Sequence, residues 1–170
     1  MKIRFKVNTA KAVEALVWII QRGESNVYNA MKIFFAADKY HLNRYAWPVT
    51  GDTYVAMRFG TVPSWTYAAT RRKGLGFTRT GTTLKLEPGR VCDLDELSES
   101  DVEALEHGYK EYAGKSFKAV LLKNHREKAW LKAVERTPGT HSSEILFEDM
   151  ITSKQWIIDD LLEFPINVVV

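Results

Sequence analysis

Between Pro48 and Tyr67 the chain reads PVTGDTYVAMRFGTVPSWTY, and this segment limits the fold more than any other. Pro48 blocks simple continuation of an upstream helix, because a proline in a helix interior removes a hydrogen bond and clashes with the preceding turn. Thr50 or Asp52 can cap a short helical turn over Thr53 to Arg58, with Gly60 as its stop. A strand is the competing expectation over the same residues. Pro63 with Ser64 then opens another short helix carrying Trp65, Tyr67 and Ala68, since proline suits a first helical turn. Gly74 and Gly76 end it.

The flanks are periodic. A short strand is expected at Lys2 to Val7, then a helix with Asn8 or Thr9 as N-cap and an apolar face of Ala12, Ala15, Leu16, Ile19 and Ile20, ended by Gly23. Ser25 is the expected cap of a second helix, with Tyr28, Met31, Phe35 and Leu42 on one stripe. From Phe77 to Arg90, Thr and Gly mix with apolar residues; the turn Thr80-Gly81 followed by Leu84 and Leu86 at period two reads as a β-hairpin, and an extended piece continues through Val91. Helical pattern returns at Ser98, which with Asp101 has the spacing of a capping box. Gly114 breaks that helix, Ser116 caps Phe117 to Leu122, and a helix over His125 to Val134 follows. Two more are expected at about Ser143 to Met150 and Ser153 to Glu163, with Pro165 as the last stop. The fold class is α+β: a single, mainly helical domain over residues 1–170 with a hairpin inserted at about 77–91, and no internal repeat or long linker divides it.

At 45% hydrophobic and 170 residues the chain can bury a substantial core. A lone cysteine, Cys92, excludes an internal disulfide framework and a cysteine-rich zinc cluster. The start MKIRFKVNTA lacks the apolar run of a secretory signal, and apolar runs such as ALVWII fall far short of the roughly 20 residues of a membrane span. A cytoplasmic protein with no membrane partner is expected. The net charge of +3 is small but unevenly placed: Arg71, Arg72, Lys73, Arg79, Lys85 and Arg90 stand against only Glu87, while Asp93 to Glu111 carries eight acids against only Lys110. The simplest expectation is that the acidic helix neutralises the basic run.

Catalytic and metal-binding chemistry finds little support. His41, His107, His125 and His141 are scattered without the spacing of a metal site, and no P-loop, nucleophile elbow or complete dinucleotide fingerprint is present. His125-Arg126-Glu127 matches half of a zinc-deaminase signature whose other half is missing. Cys92 lies in RVCDLDE, where acids disfavour a thiolate. No catalytic residue, metal or cofactor is expected. The five tryptophans read as core residues, of which one or two could anchor a partner.

PVTGDTYVAMRFGTVPSWTY resembles the signature of the Panacea-domain, or SocA-like, antitoxins, approximately T-G-D-x-Y-x-A-x-x-x-G-P-V-P-S. Thr50, Gly51, Asp52, Tyr54, Ala56, Gly60, Val62, Pro63 and Ser64 match it. Upstream, Lys32, Phe35, His41 and Leu42 are similar to the family's helix, and downstream a Leu-Ser opening, a glycine break, His125 and Trp130 follow in order, so that the likeness covers about residues 11–130. Thr61 stands where the signature has proline, and Ala129 where a proline often precedes the tryptophan. The resemblance implies an antitoxin, not an enzyme, of a type II toxin–antitoxin pair, of bacterial or phage origin, that neutralises a cognate toxin by direct contact. One branch of the family instead delivers its toxin to a cellular protease.

The signature residues themselves read as scaffold: Asp52 as a cap, Gly60 as a reversal, Pro63 as a helix start and Tyr54 as an anchor in the core. Partner contact is expected on variable surfaces, chiefly the hairpin region Arg71, Arg72, Lys73, Phe77 and Arg79 and the C-terminal part 141–170. The same basic segment supplies an alternative, a nucleic-acid-binding regulator.

Overall fold

The computed structural model describes residues 3–152 and 155–163. Helix α2 (Val27–Tyr45) runs through the middle, with buried residues on all its faces. That pattern marks a helix packed on several sides and not a surface helix with one apolar stripe. One apolar cluster joins α2 to α1 (Thr9–Gln21), to α4 (Glu99–Tyr112) and to the hairpin β3 (Phe77–Thr80) and β4 (Thr83–Leu86). A second takes Phe35 and Leu42 of α2 and packs them against Tyr54, Ala129, Ile145, Phe147 and Ile157. These come from a three-stranded antiparallel sheet, order β2 (Gly60–Pro63), β1 (Tyr54–Met57), β5 (Ser142–Ile145), and from α6 (Lys128–Arg136), α7 (Phe147–Met150) and α8 (Gln155–Glu163). Two short helices, α3 (Ser64–Ala69) and α5 (Phe117–Asn124), complete a mainly helical α+β fold.

Most local signals act as the sequence indicates. Asn8 caps α1, Ser116 caps α5, and Ser98 and Asp101 form a reciprocal capping box on α4. The hairpin pairs Phe77 with Leu86 and Thr80 with Thr83. Its turn end docks on the start of α2, where the Val27 N–H donates to the Thr82 carbonyl at 2.8 Å and the Leu84 N–H to the Ser25 carbonyl at 2.7 Å.

Several boundaries differ, each for a tertiary reason. Residues 54–57 take the extended alternative and not the helical turn, because β1 is the central strand, with Tyr54 opposite Pro63 on one side and Ile145 on the other. Ser143 to Ile145, expected to be helical, supply that second partner as β5. Asn26, not Ser25, caps α2, its carboxamide oxygen accepting from the Tyr28 and Asn29 N–H groups. His125 is the C-cap of α5 and not the first residue of α6. Residues 3–7 form no strand: Ile3 and Phe5 are buried, but the Ile3 N–H donates to the Glu148 carboxylate at 2.7 Å instead of to a neighbouring strand. Lys2, Ser153 and Pro165, which carried the remaining boundary expectations, lie outside the described residues. The acids of α4 do not neutralise the basic run. Asp101, Glu103 and Glu106 pair with Lys11, Arg44 and Arg22 on α1 and α2, while Arg90 pairs with Glu14.

Helices α2 and α4 approach closely at Gly108. A β-carbon there would lie 2.5 Å from the Ile33 carbonyl oxygen and 3.3 Å from the Ala37 nitrogen. Helix propensity alone favours alanine over glycine by about 1 kcal/mol. The packing reverses the sign: Gly108→Ala is expected to destabilise the protein by about 1–3 kcal/mol, as overpacking against rigid backbone does, measured by urea unfolding.

Candidate functional site

Four polar side chains of α2 are buried, and each binds a different neighbouring element. Asp38, with no exposed surface, accepts the Thr50 N–H at 2.8 Å, the Thr50 hydroxyl at 2.7 Å and the Tyr54 hydroxyl at 2.9 Å. Burial outweighs these three donors and raises the Asp38 carboxyl to about 6. Lys32 donates to the Thr61 carbonyl at 3.0 Å and sits 4.3 Å from the centre of the Tyr28 ring. Asn29 donates to Glu24 and to the Lys115 carbonyl, each at 3.1 Å. His41 donates from Nδ1 to the Trp47 carbonyl, which can only accept, and its Nε2 lies 2.9 Å from the Ser100 hydroxyl.

The signature residues are the other half of this frame. Thr50 and Tyr54 are the partners of Asp38, and Gly51, at φ +69°, turns the chain beside Lys6 and Phe5. Asp52 caps α3 from a distance: its carboxylate accepts the Trp65 N–H at 3.0 Å, the Thr66 N–H at 2.7 Å and the Thr66 hydroxyl at 2.8 Å. This supplies a cap that Pro63, the residue preceding Ser64 at the start of α3, has no side-chain group to provide. Gly60, at φ +110°, leaves room for Asn124 and Lys32, whose Cε would lie 2.9 Å from an added β-carbon.

Thr61, in the place of the signature proline, ties β2 to α5. Its N–H donates to the Asn124 carboxamide at 2.7 Å and its hydroxyl accepts from it at 3.1 Å, on the side of β2 that no strand pairs. A proline would fit the same edge without the N–H bond. Ala129, in the first turn of α6, is likewise at a position that accepts proline.

His125 and Trp130 hold the β1–β2 turn. The His125 Nε2–H donates to the Arg58 carbonyl and the Trp130 indole N–H to the Met57 carbonyl, both at 3.1 Å, and the two rings stack at 4.1 Å. His125 thus bonds a backbone carbonyl, and among the described residues no carboxylate orients its ring. Cys92 is half-buried, its thiol donating to the Glu14 carbonyl at 3.4 Å, and burial raises it to about 11. Among the described residues no group of three or more His, Cys, Asp or Glu side chains is placed to hold a metal ion. No described helix is long and apolar enough to cross a membrane.

The basic segment is divided. Arg71, Arg72 and Lys73 are exposed; Arg71 lies 4.6 Å from the Tyr67 ring centre and Arg72 5.3 Å from that of Trp65. Arg79 is half-buried, donating to the Thr70 hydroxyl at 2.9 Å and the Gly81 carbonyl at 2.7 Å. Hydrogen bonds from Arg79 and Arg71 hold the Tyr67 hydroxyl below its ordinary range. Phe77, grouped with these residues by sequence, is 1% exposed and belongs to the core, so its ring is not available at the surface.

The sequence did not single out Asp38, Asn124 or Glu24 at all, and placed Lys32 only as a family match. The available signal was position. Asp38 lies between Phe35 and Leu42 on the apolar stripe of α2, where a charge demands a partner.

A family model described as antitoxin SocA-like, Panacea domain, matches residues 31–131. The chain belongs to this family. The matched span runs from the second turn of α2 to the start of α6 and holds Lys32, Asp38 and their hydrogen-bond partners, together with His125 and Trp130. No curated protein and no solved structure matches the chain.

Two outcomes check the frame. Asp38→Ala strands the Thr50 N–H and hydroxyl and the Tyr54 hydroxyl, and is expected to cost about 3–5 kcal/mol, read as a fall in the urea midpoint. Burial lowers the Lys32 ammonium to about 7 from 10.5. The unfolded chain therefore binds more protons above pH 7, so this residue's contribution to stability rises with pH from 7 toward 10.5. Comparing wild type with Lys32→Met cancels the other titrating groups. The wild type is expected to gain about 2 kcal/mol relative to the variant between pH 7 and pH 9.

Proposed function

We propose that this protein is the antitoxin of a type II toxin–antitoxin pair, acting in the cytoplasm without enzymatic activity and neutralising a co-encoded toxin by binding and occluding it. The observation that carries the reading is the match to the SocA-like antitoxin family over residues 31–131. The internal geometry supports a binding scaffold. Asp38, Thr50, Asp52, Tyr54, His125 and Trp130 all bond internal groups and form a rigid frame. Outside the frame, Phe59, Phe117, Met57 and Trp156 present large apolar surfaces at 40–51% exposure, the kind of side chain that anchors a protein partner.

Co-expression with the neighbouring gene tests the reading. The neighbour's product alone is expected to arrest growth, and this protein to restore it while the two co-purify. A neighbour that is harmless alone, or still toxic beside this protein, overturns the proposal. Occlusion also predicts an unchanged toxin half-life on adding the antitoxin. A half-life that shortens only when a cellular protease is present assigns the adaptor role instead.

A further inference from the structure

A cavity of about 470 Å³ opens between the start of α2, the β1–β2 turn and the start of α5. Its apolar wall is an aromatic cluster: Phe117 lies 4.8 Å from Tyr28 and 5.5 Å, edge on, from Phe59, measured between ring centres. Met57 stands beside them. Phe59, Phe117 and Met57 are 47%, 51% and 40% exposed, which leaves three large apolar side chains facing solvent around one opening. Isolated exposed apolar residues are ordinary, but a contiguous group around a cavity of ligand size marks a binding site.

The ionisable side chains that line this cavity, tyrosines aside, are all basic. Lys32, Arg58, Arg79, Lys115 and His141 line it, and no aspartate or glutamate does. Among the described residues none of the first four is ion-paired with a carboxylate: Lys32 bonds the Thr61 carbonyl, Arg79 bonds Thr70 and Gly81, and the Arg58 guanidinium lies 5.4 Å from the Phe59 ring centre. On other faces Arg22, Arg44, Lys123 and Arg136 are each paired with an acid. The Tyr28 hydroxyl is buried and has no hydrogen-bond partner among the described residues, although buried hydroxyls are nearly always satisfied. The turn that carries Arg58 and Phe59 is held by His125 and Trp130, so these two side chains are presented from a fixed backbone and not from a loose loop.

We propose that this cavity is the docking site for the toxin, taking an apolar side chain between Tyr28, Phe59 and Phe117 while carboxylates flanking that side chain meet Arg58 and Lys115. The proposal rests on the antitoxin reading above. An apolar centre with a charged rim is the anatomy of a protein interface, and an acid-free cationic rim selects an acidic partner segment and speeds its encounter. The same geometry assigns a role to His125 and Trp130 as positioning residues for the docking turn.

The test uses the purified full chain and the toxin encoded beside it. Phe59→Ser and the double variant Arg58→Glu with Lys115→Glu change exposed side chains, and unchanged urea midpoints verify that both fold. Each is expected to raise the Kd for the toxin by about thirtyfold or more, whereas Lys110→Glu, on an exposed position of α4, is expected to leave it within about threefold. Pocket variants that bind toxin as tightly as wild type overturn this proposal and leave the antitoxin reading intact. A wild-type chain that forms no complex overturns both. A loss of affinity for a single-stranded oligonucleotide probe with toxin binding unchanged also overturns it, and assigns the cationic rim to nucleic acid.

Discussion

Helix α2 has to satisfy four buried polar side chains in a protein interior, and the rest of the structure is arranged around how it does so. Asn29, Lys32, Asp38 and His41 are each at most 6% exposed, and a buried polar group without a partner costs about 1–3 kcal/mol. None of the four finds that partner on α2 itself. Asn29 ties down the α4–α5 connection through Glu24 and the Lys115 carbonyl, Lys32 ties down β2, Asp38 the Thr50–Tyr54 stretch, and His41 the Trp47 carbonyl and the start of α4. Apolar packing alone is tolerant of sliding; directional bonds to four separate elements fix where each one sits.

The segment from Thr50 to Ser64 follows from that constraint. Thr50 and Tyr54 satisfy Asp38, and Asp52 then satisfies the amide groups at the start of α3. Gly60 lets the chain reverse where Lys32 and Asn124 approach most closely. The two departures from the family pattern fall where the frame tolerates them. Thr61 turns an edge position into an added pair of bonds with Asn124, and Ala129 sits in a first helical turn. The residues that make the family recognisable are therefore mostly engaged in internal bonds.

Charge is distributed by the same packing. The acids of α4 are drawn to Lys11, Arg22 and Arg44 because α4 lies along α1 and α2. Arg58 of the β1–β2 turn, Arg79 of the hairpin and Lys115 of the α4–α5 connection form no ion pair among the described residues and line one apolar opening.

Local chemistry made much of the fold legible in the sequence. The Asn8, Ser98 and Ser116 caps, the hairpin at Thr80-Gly81, the mainly helical class and the family likeness of the Thr50–Ser64 segment depend on residues close together in the chain. What was not legible depended on residues far apart. Tyr54 to Met57 became the central strand of a sheet, beyond its local pairing with β2, because Ser142–Ile145, nearly ninety positions later, pairs with it. Phe77 left the candidate surface because the hairpin docks inward on α2. The sequence by itself determined most of the helices, the hairpin and the family, since propensity, capping and periodicity act within a few residues. Only the tertiary structure decided that Asp38 and Lys32 are the centre of the frame and that Phe59, Phe117 and Arg58 share one opening, since burial and proximity exist only once distant segments meet.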